Sequence, residues 1–200
     1  MPIYNWLTPQ QYSEQLGKWV EGNREQGKTS VFIGYSLGKA QRIMKSVEGY
    51  GKIFVHSSIG RLNEAIESVG VQLPDYEIVN FTEDIKKLNQ EIVIVPPALL
   101  DSNMIRKIPN RATGICSGWM QVRGSRRWRS ADAGFAISDH ADWNGLLETV
   151  KATEAEQVHV THGQIAVFSK YLNEIGIKAD EVTTKFGSDE EEKEEDELMG

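Results

Sequence analysis

Short apolar runs, separated by segments of helical periodicity, constrain the fold of this chain more than any other feature. Residues 30–33, 52–55 and 92–95 (SVFI, KIFV and IVIV) are bounded by glycine, proline or polar residues. Runs of this length predict buried strands, because core helices need about 10 residues or more. Since helix-length segments separate these runs, we predict an α/β fold with a mainly parallel sheet and flanking helices.

The segments around these strands carry helix signals. Thr8 followed by Pro9 is typical of an N-cap with proline at the first helical position. Tyr12, Leu16, Trp19 and Val20 then fall on one helical face, and Gly27 ends the helix. Further helices are predicted at 37–47 and 98–107. Leu62, Ile66 and Val69 share one helical face and predict another helix between them.

The character of the sequence changes near residue 110, where glycine, serine and arginine become more frequent. The later predicted elements are β-like stretches at 112–118 and 133–137, helices at 143–152 and 164–175, and strands at 158–161 and 177–184. We therefore predict one domain over residues 1–110 and a second over 111–187.

Several classes of protein are excluded by simple counts. No apolar run approaches the roughly 18–20 residues of a membrane helix. The opening MPIYNWLTPQQ has no basic patch followed by an apolar stretch, so it does not predict a secretory signal. The single cysteine, Cys116, rules out an internal disulfide and fits a reducing cytoplasm. We expect a cytoplasmic protein that does not associate with membranes.

The net charge of −7 comes from one end of the chain. Residues 188–200 (SDEEEKEEDELMG) contain eight acidic residues and one lysine, which leaves 21 acidic and 21 basic residues elsewhere. A run of this composition cannot bury apolar surface, so it predicts a disordered, solubilising tail.

A basic window interrupts the neutral body of the chain. Between Asp101 and Asp132 there is no acidic residue, and tryptophans are interleaved with the bases. Arginine pairs with phosphates and aromatic rings stack on bases, so this window predicts nucleic-acid binding. The alternative is a basic surface loop with core tryptophans. The candidate nucleic-acid contacts are Arg123, Arg126, Arg127, Arg129 and Trp128.

The segment Gly34-Tyr35-Ser36-Leu37-Gly38 lies between a predicted strand and helix. It matches the G-x-S-x-G turn of serine hydrolases, with Asp101 and His140 or His162 following in the required order. Too few strands precede it for that fold, so a Ser36 nucleophile is the weaker alternative. It is one residue short of a phosphate-binding P-loop. A helix N-terminus here can still present N–H groups to a phosphate, which makes Ser36 and Lys39 candidate contacts.

Two histidines follow predicted strands directly. His140 stands in Ser138-Asp139-His140-Ala141-Asp142, and His162 stands in Thr161-His162-Gly163. Ligands and catalytic groups gather at strand ends in α/β proteins. Imidazole serves there as a metal ligand or as a general acid or base.

Together these segments resemble the metallo-β-lactamase/β-CASP nucleases. Residues 33–42 (IGYSLGKAQR) are similar to the apolar-Leu-Gly-Arg/Lys-Ala-Gln segment of the β-CASP domain. Residues 138–142 resemble the β-CASP motif whose histidine contacts the scissile phosphate or leaving group, and His162 resembles a zinc ligand of the last metallo-β-lactamase motif. Residues 137–143 and 2–6 point more narrowly to bacterial ligase-associated DNA exonucleases, relatives of which are also labelled mRNA 3′-end processing factors.

The resemblance implies a β-CASP domain followed by the C-terminal part of a metallo-β-lactamase αββα fold. It implies zinc-dependent hydrolysis of phosphodiesters, with two zinc ions and DNA favoured over RNA as substrate. His162 would bind zinc, and His140 would donate to the departing oxygen or stabilise charge there. Asp139 or Asp142 would orient His140. A ligase or a helicase would be a partner.

The chain departs from the family pattern in its metal ligands. The zinc-binding His-x-His-x-Asp-His string, the next histidine, the bridging aspartate and the acidic β-CASP motif are missing. We expect the chain to correspond to the C-terminal portion of such a protein and to have negligible nuclease activity alone. The N-terminal half of the metallo-β-lactamase domain would have to be supplied in trans. A nucleic-acid-binding module without catalysis is the main alternative.

Overall fold

The computed structural model describes residues 4–81, 83, 85–121 and 131–182. Its helices are α1 (Pro9–Glu25), α2 (Lys39–Ser46), α3 (Ser57–Ser68), α4 (Asn103–Arg106), α5 (Trp143–Thr153) and α6 (Ile165–Glu174). Its strands are β1 (Thr29–Ile33), β2 (Ile53–Val55), β3 (Glu77–Ile78), β4 (Ile92–Val95), β5 (Arg111–Cys116), β6 (Ala133–Phe135), β7 (Gln157–Val160) and β8 (Lys178–Glu181). Short 3-10 turns cover Ile85–Leu88, Pro97–Leu99 and Gly118–Gln121.

Six strands form a parallel sheet in the order β3-β2-β4-β1-β5-β6. The central strand β1 is flanked by β4 and β5, with Ser30 opposite Ile92 on one side and Ala112 on the other. Strands β1 and β4 are buried along their whole length, as expected for a sheet that is covered on both faces. The predicted α/β fold with a parallel sheet and flanking helices is confirmed.

The described residues divide into two compact units, one of residues 6–139 and one of residues 4–5 with 140–182. Strands on either side of residue 110 belong to the same sheet, since β5 pairs with β1. The compact units therefore do not divide at residue 110. The assignment of residues 1–110 and 111–187 to two named domains stays a prediction, and the tail at 188–200 lies outside the described residues.

Alternating side chains of the central strands fill two cores. On one face Phe32 and Ile94 pack with Tyr12 and Leu16 of α1. On the other face, Val31, Ile33, Val93 and Val95 pack with residues of α4 and its surroundings. Helix α1 begins as predicted, because Thr8 accepts a hydrogen bond from the Gln11 N–H and the Gln11 side chain accepts one from the Thr8 N–H.

The second unit pairs β7 with β8 in parallel, beside α5 and α6. Val160, Leu172 and Ala179 form its buried apolar cluster, and Trp143 at the start of α5 is also buried. Asn173 bonds through its side chain to both the N–H and the carbonyl of Ala179, which fixes the end of α6 against β8. Because the buried cluster of this unit is small, these two side-chain hydrogen bonds are important for the position of α6.

Three details of the predicted elements are wrong. The helix predicted at 98–107 is a 3-10 turn at Pro97–Leu99 followed by α4, because Ser102 caps a new helix through the Ile105 N–H. Strand β3 was not predicted, since its two residues are exposed and one is charged. Helix α3 buries Ile59, Gly60 and Asn63, whereas Val69 of the predicted apolar face is 79% exposed.

None of the described helices combines the length and apolar character needed to span a bilayer.

Candidate functional site

Two glycines shape the connection between β1 and α2, residues 34–38, here called the β1–α2 turn. A Cβ at Gly34 would lie 2.9 Å from Ile43 Cδ1. Gly38 has φ +80°, and a Cβ there would lie 2.6 Å from Asp139 Oδ2. The first glycine allows close packing of α2, and the second has a conformation that other residues rarely adopt. The turn thus lies directly against the carboxylate of Asp139.

Lys39, the first residue of α2, is buried, with 3% of its surface exposed. Its Nζ lies 3.9 Å from Asp139 Oδ1 and 4.4 Å from the centroid of the Tyr35 ring. A buried charge is tolerated only when it is paired, and here the carboxylate and the ring provide that compensation. Lys39 therefore has an internal role. Its predicted contact with nucleic acid stays a prediction.

Helix α2 also contacts Ser138, the residue before Asp139. The guanidinium of Arg42 donates to the carbonyl oxygen of Ser138, which is buried. Arg42 and Lys39 are three residues apart and therefore lie on the same face of α2. This helix face fixes the segment that follows β6, and with it the start of the predicted Ser-Asp-His motif.

The half-buried amide of Gln41 and the buried amide of Asn63 link the β1–α2 turn to α3. The Gln41 Oε1 accepts from the Gly38 N–H at 2.7 Å, and the Gln41 amide donates to the Ser36 carbonyl at 3.0 Å and to Asn63 Oδ1 at 2.7 Å. Asn63 is fully buried and its amide also contacts Met44 Sδ. The sequence analysis included Gln41 only as part of the 33–42 segment and gave neither residue a role. No local pattern in the sequence indicated this pairing between residues 22 positions apart.

A second link from α3 reaches the same turn through hydroxyl groups. His56 caps α3, and its Nδ1 accepts from the Ser58 N–H at 3.2 Å and lies 2.9 Å from Ser58 Oγ. The Ser58 hydroxyl in turn lies 3.1 Å from that of Ser36. Burial, followed by the positive charge of Arg61, lowers the pKa of His56. The ring is therefore neutral near pH 7 and suited to accept at Nδ1. Sequence reasoning assigned no partner to His56.

The hydrogen-bond partner that the structure shows for the Ser36 hydroxyl is another serine, Ser58. Asp101 lines a polar cleft of about 460 Å³ with Arg106, Arg111 and Asp132. The hydrogen bonds of Ser36 therefore give the hydrolase alternative no support.

The cysteine at the end of β5 is not an activated nucleophile either. Burial raises the pKa of the Cys116 thiol, and the nearby charge of Lys39 opposes this only in part. A thiol with a raised pKa stays protonated at neutral pH and is a poor nucleophile.

The second compact unit carries both predicted histidines. His140 and His162 are exposed. Asp142 caps α5, because its Oδ1 accepts from the Gly145 N–H at 2.7 Å. His162 follows β7, and its Nδ1 lies 2.7 Å from Thr161 Oγ1. His162 thus comes two residues after a strand, whereas β6 ends at Phe135, five residues before His140, and His140 lies two residues before the N-cap of α5. The orientation of His140 by Asp139 or Asp142 stays a prediction.

The described residues do not fit a catalytic zinc site. Within them, no group of three or more histidine, cysteine, aspartate or glutamate side chains is placed to hold a metal ion. A catalytic zinc ion usually has three protein ligands and a water molecule. Zinc binding by His162 therefore stays a prediction that needs ligands beyond the described residues.

The predicted basic contacts fall in a part of the chain that the structure does not describe. Residues 122–130 are outside the described residues. The nucleic-acid contacts predicted there stay predictions, and they are Arg123, Arg126, Arg127, Arg129 and Trp128.

A curated protein is similar to most of this chain. No family model matches the chain. The chain is 33% identical over 150 residues to a protein of Opitutus terrae (strain DSM 11246 / JCM 15787 / PB90-1) named "Probable DNA ligase". The similarity covers 74% of this chain and 14% of that protein. The chain thus matches a small part of a much longer relative.

Proposed function

We propose that this chain is the nucleic-acid-binding part of a DNA-processing protein of the metallo-β-lactamase/β-CASP class, most similar to the ligase-associated DNA exonucleases. The motifs around Ser36, His140 and His162 support the class. The similarity to a protein that is named as a probable DNA ligase supports DNA, in preference to RNA, as the nucleic acid.

The position of the β1–α2 turn in the sheet is the observation that carries this proposal. From β1 the chain crosses to β2, which lies on the β4 side of β1. From the neighbouring strand β4 it crosses in the opposite direction to β5, which lies on the far side of β1. Parallel sheets bind ligands outside the carboxyl ends of strands at such a switch point. Ser36 lies there, with Asp139 and Lys39 packed around the turn. We therefore place part of the nucleic-acid site at the β1–α2 turn.

The complete reaction of this class is zinc-dependent phosphodiester hydrolysis. Because the described residues do not assemble three ligands, we derive no step through zinc. His162 as a zinc ligand and His140 as the donor to the departing oxygen remain proposed roles. We expect the chain alone to bind single-stranded DNA without cleaving it.

Binding is tested by fluorescence anisotropy of labelled single-stranded DNA at several salt concentrations. Arg126→Ala with Arg127→Ala should weaken binding and reduce the salt slope by about 1.4, which is roughly 0.7 for each lost phosphate contact. The matched control is Lys45→Ala with Lys170→Ala, which removes two exposed charges from helices. Equal affinity and slope in the two double variants would contradict a specific role for the basic window.

Cleavage is tested on end-labelled single-stranded DNA with zinc or manganese. The purified chain, His140→Ala and His162→Ala should all leave the substrate intact. His159→Ala serves as the control, because His159 is an exposed histidine on β7. Metal-dependent cleavage that is lost in His162→Ala but kept in His159→Ala would show that the chain builds a working metal site and that our account of its ligands is wrong.

A further inference from the structure

The hydroxyl of Ser36 ends a chain of hydrogen bonds that begins at a titratable ring. The chain runs from His56 Nδ1 to Ser58 Oγ at 2.9 Å and from Ser58 Oγ to Ser36 Oγ at 3.1 Å. His56 and Ser58 begin α3, whereas Ser36 lies in the β1–α2 turn. The protonation state of one side chain can therefore determine what another presents to a ligand.

The backbone fixes the direction of this chain when His56 is neutral. The Ser58 N–H donates to His56 Nδ1, so Nδ1 has no proton and the ring proton is on Nε2. The Ser58 hydroxyl, 2.9 Å from the same Nδ1, can only donate to it. Ser36 must then donate to Ser58 at 3.1 Å. In this state the Ser36 oxygen offers lone pairs, and not a proton, to a ligand.

Protonation of His56 reverses the direction of each hydrogen bond between these side chains, while the heavy atoms stay in place. Nδ1–H then donates to Ser58 Oγ, and the Ser58 hydroxyl donates to Ser36 Oγ. The Ser36 proton becomes available to a ligand. The Ser58 N–H loses its acceptor, but Ser58 is half-buried, so water can replace it. A phosphate oxygen only accepts hydrogen bonds, so it favours the reversed chain.

The surroundings of His56 hold the ring neutral until a negative group arrives. Arg61 on α3 and burial both lower the pKa of His56. Phe81 lies beside the ring, with 6.3 Å between centroids, and the His56 backbone N–H donates to the Ile94 carbonyl of β4. Among the described residues no carboxylate pairs with this ring. A bound phosphate would be the nearby negative charge that favours protonation.

We propose that Ser36 is a proton-dependent contact for a DNA phosphate, switched from acceptor to donor by protonation of His56 through Ser58. This inference rests on the proposed function, because it assumes that DNA reaches the β1–α2 turn. Linkage makes the effect reciprocal: phosphate binding favours proton uptake by His56, and proton uptake favours phosphate binding.

The first test measures DNA affinity by anisotropy from about pH 8 to about pH 5.5. The three proteins are the wild type, His56→Asn and Ser58→Ala. Asparagine keeps an N-cap acceptor but does not titrate. The ratio of wild-type affinity to that of each variant should rise about tenfold as pH falls, the size expected for one hydrogen bond to a charged group. The ratio of wild-type affinity to that of His159→Asn, which alters an exposed histidine, should not change with pH.

The second test determines the His56 tautomer by ¹⁵N NMR of the full chain without DNA. At about pH 8 we expect the proton on Nε2, and a proton on Nδ1 would contradict donation from Ser58 to His56. DNA binding with a flat wild-type to His56→Asn ratio would overturn the coupling alone. If no DNA binds at any pH, the proposed function fails and the coupling fails with it.

Discussion

Asp139→Asn should destabilise the chain more than Lys39→Met, although each removes one half of the same ion pair. The Lys39 side chain is 4% exposed and that of Asp139 is 31% exposed. At their separation of 3.9 Å, the Coulomb energy is about 4 kcal/mol with an effective dielectric constant near 20. Loss of the carboxylate leaves a buried ammonium group, whereas loss of the ammonium group leaves a carboxylate that water can reach.

The two costs follow from this difference in burial. Removing the partner of a buried charge costs about 3–5 kcal/mol. The Tyr35 ring, 4.4 Å from Nζ, keeps about 1 kcal/mol of compensation, so Asp139→Asn should cost about 2–4 kcal/mol. Lys39→Met should cost about 1 kcal/mol or less, because methionine fills similar space without a charge.

Urea unfolding followed by tryptophan fluorescence measures both costs. Trp19, one of five tryptophans, packs against Phe32 and Phe135, so part of the emission reports on the sheet. The midpoint of Asp139→Asn should fall by about 1 M. The double variant Lys39→Met with Asp139→Asn should be more stable than Asp139→Asn, because it no longer buries a charge that has lost its carboxylate partner. Equal stability of the two single variants, or a double variant no more stable than Asp139→Asn, would show that burial of Lys39 does not set the cost.

Three further predictions test the fold around the site. Thr8→Ala removes the N-cap of α1 and should cost about 1 kcal/mol, measured as a fall of roughly 2–5 °C in Tm by circular dichroism. Gly114→Ala would place a Cβ 2.7 Å from the Phe135 ring and should cost about 1–3 kcal/mol in urea unfolding, whereas Gly22→Ala, with nothing within 4 Å, should not destabilise. The pKa of His56 in the folded chain is lowered from 6.5. The neutral ring therefore stabilises the folded chain fully above pH 6.5, and this stabilisation is lost as pH falls toward the folded pKa. The Tm of His56→Asn should therefore fall less than that of the wild type over this range, and parallel curves would contradict a neutral capping role.

The strands of the main sheet were predictable because burial on both faces leaves a continuous apolar run. Strands β1 and β4 have this pattern, and the sequence predicted both. Strand β3 could not be predicted in the same way, because its two residues are exposed and carry no periodic signal. Local apolar pattern thus identifies strands at the centre of the sheet better than those at its edge.

The buried face of α3 shows why the site was harder to predict than the sheet. The apolar spacing of Leu62, Ile66 and Val69 indicated one face, but the helix buries Asn63 instead of Val69. Asn63 is tolerated there because Gln41, on another helix, donates to it. Helical periodicity contains no information about such a partner, so the sequence showed neither the amide link nor the chain from Ser36 to His56.

The Ser138–Asp142 motif combines several structural tasks within five residues. The Ser138 carbonyl accepts from Arg42, Asp139 pairs with Lys39, and Asp142 caps α5. A substitution of either aspartate therefore changes folding as well as any chemistry at His140. Loss of activity in an aspartate variant would not by itself identify a catalytic role, because the same variant loses an ion pair or a helix cap. Asp142→Ser keeps a cap acceptor and removes the carboxylate, so it separates these contributions more cleanly than alanine does.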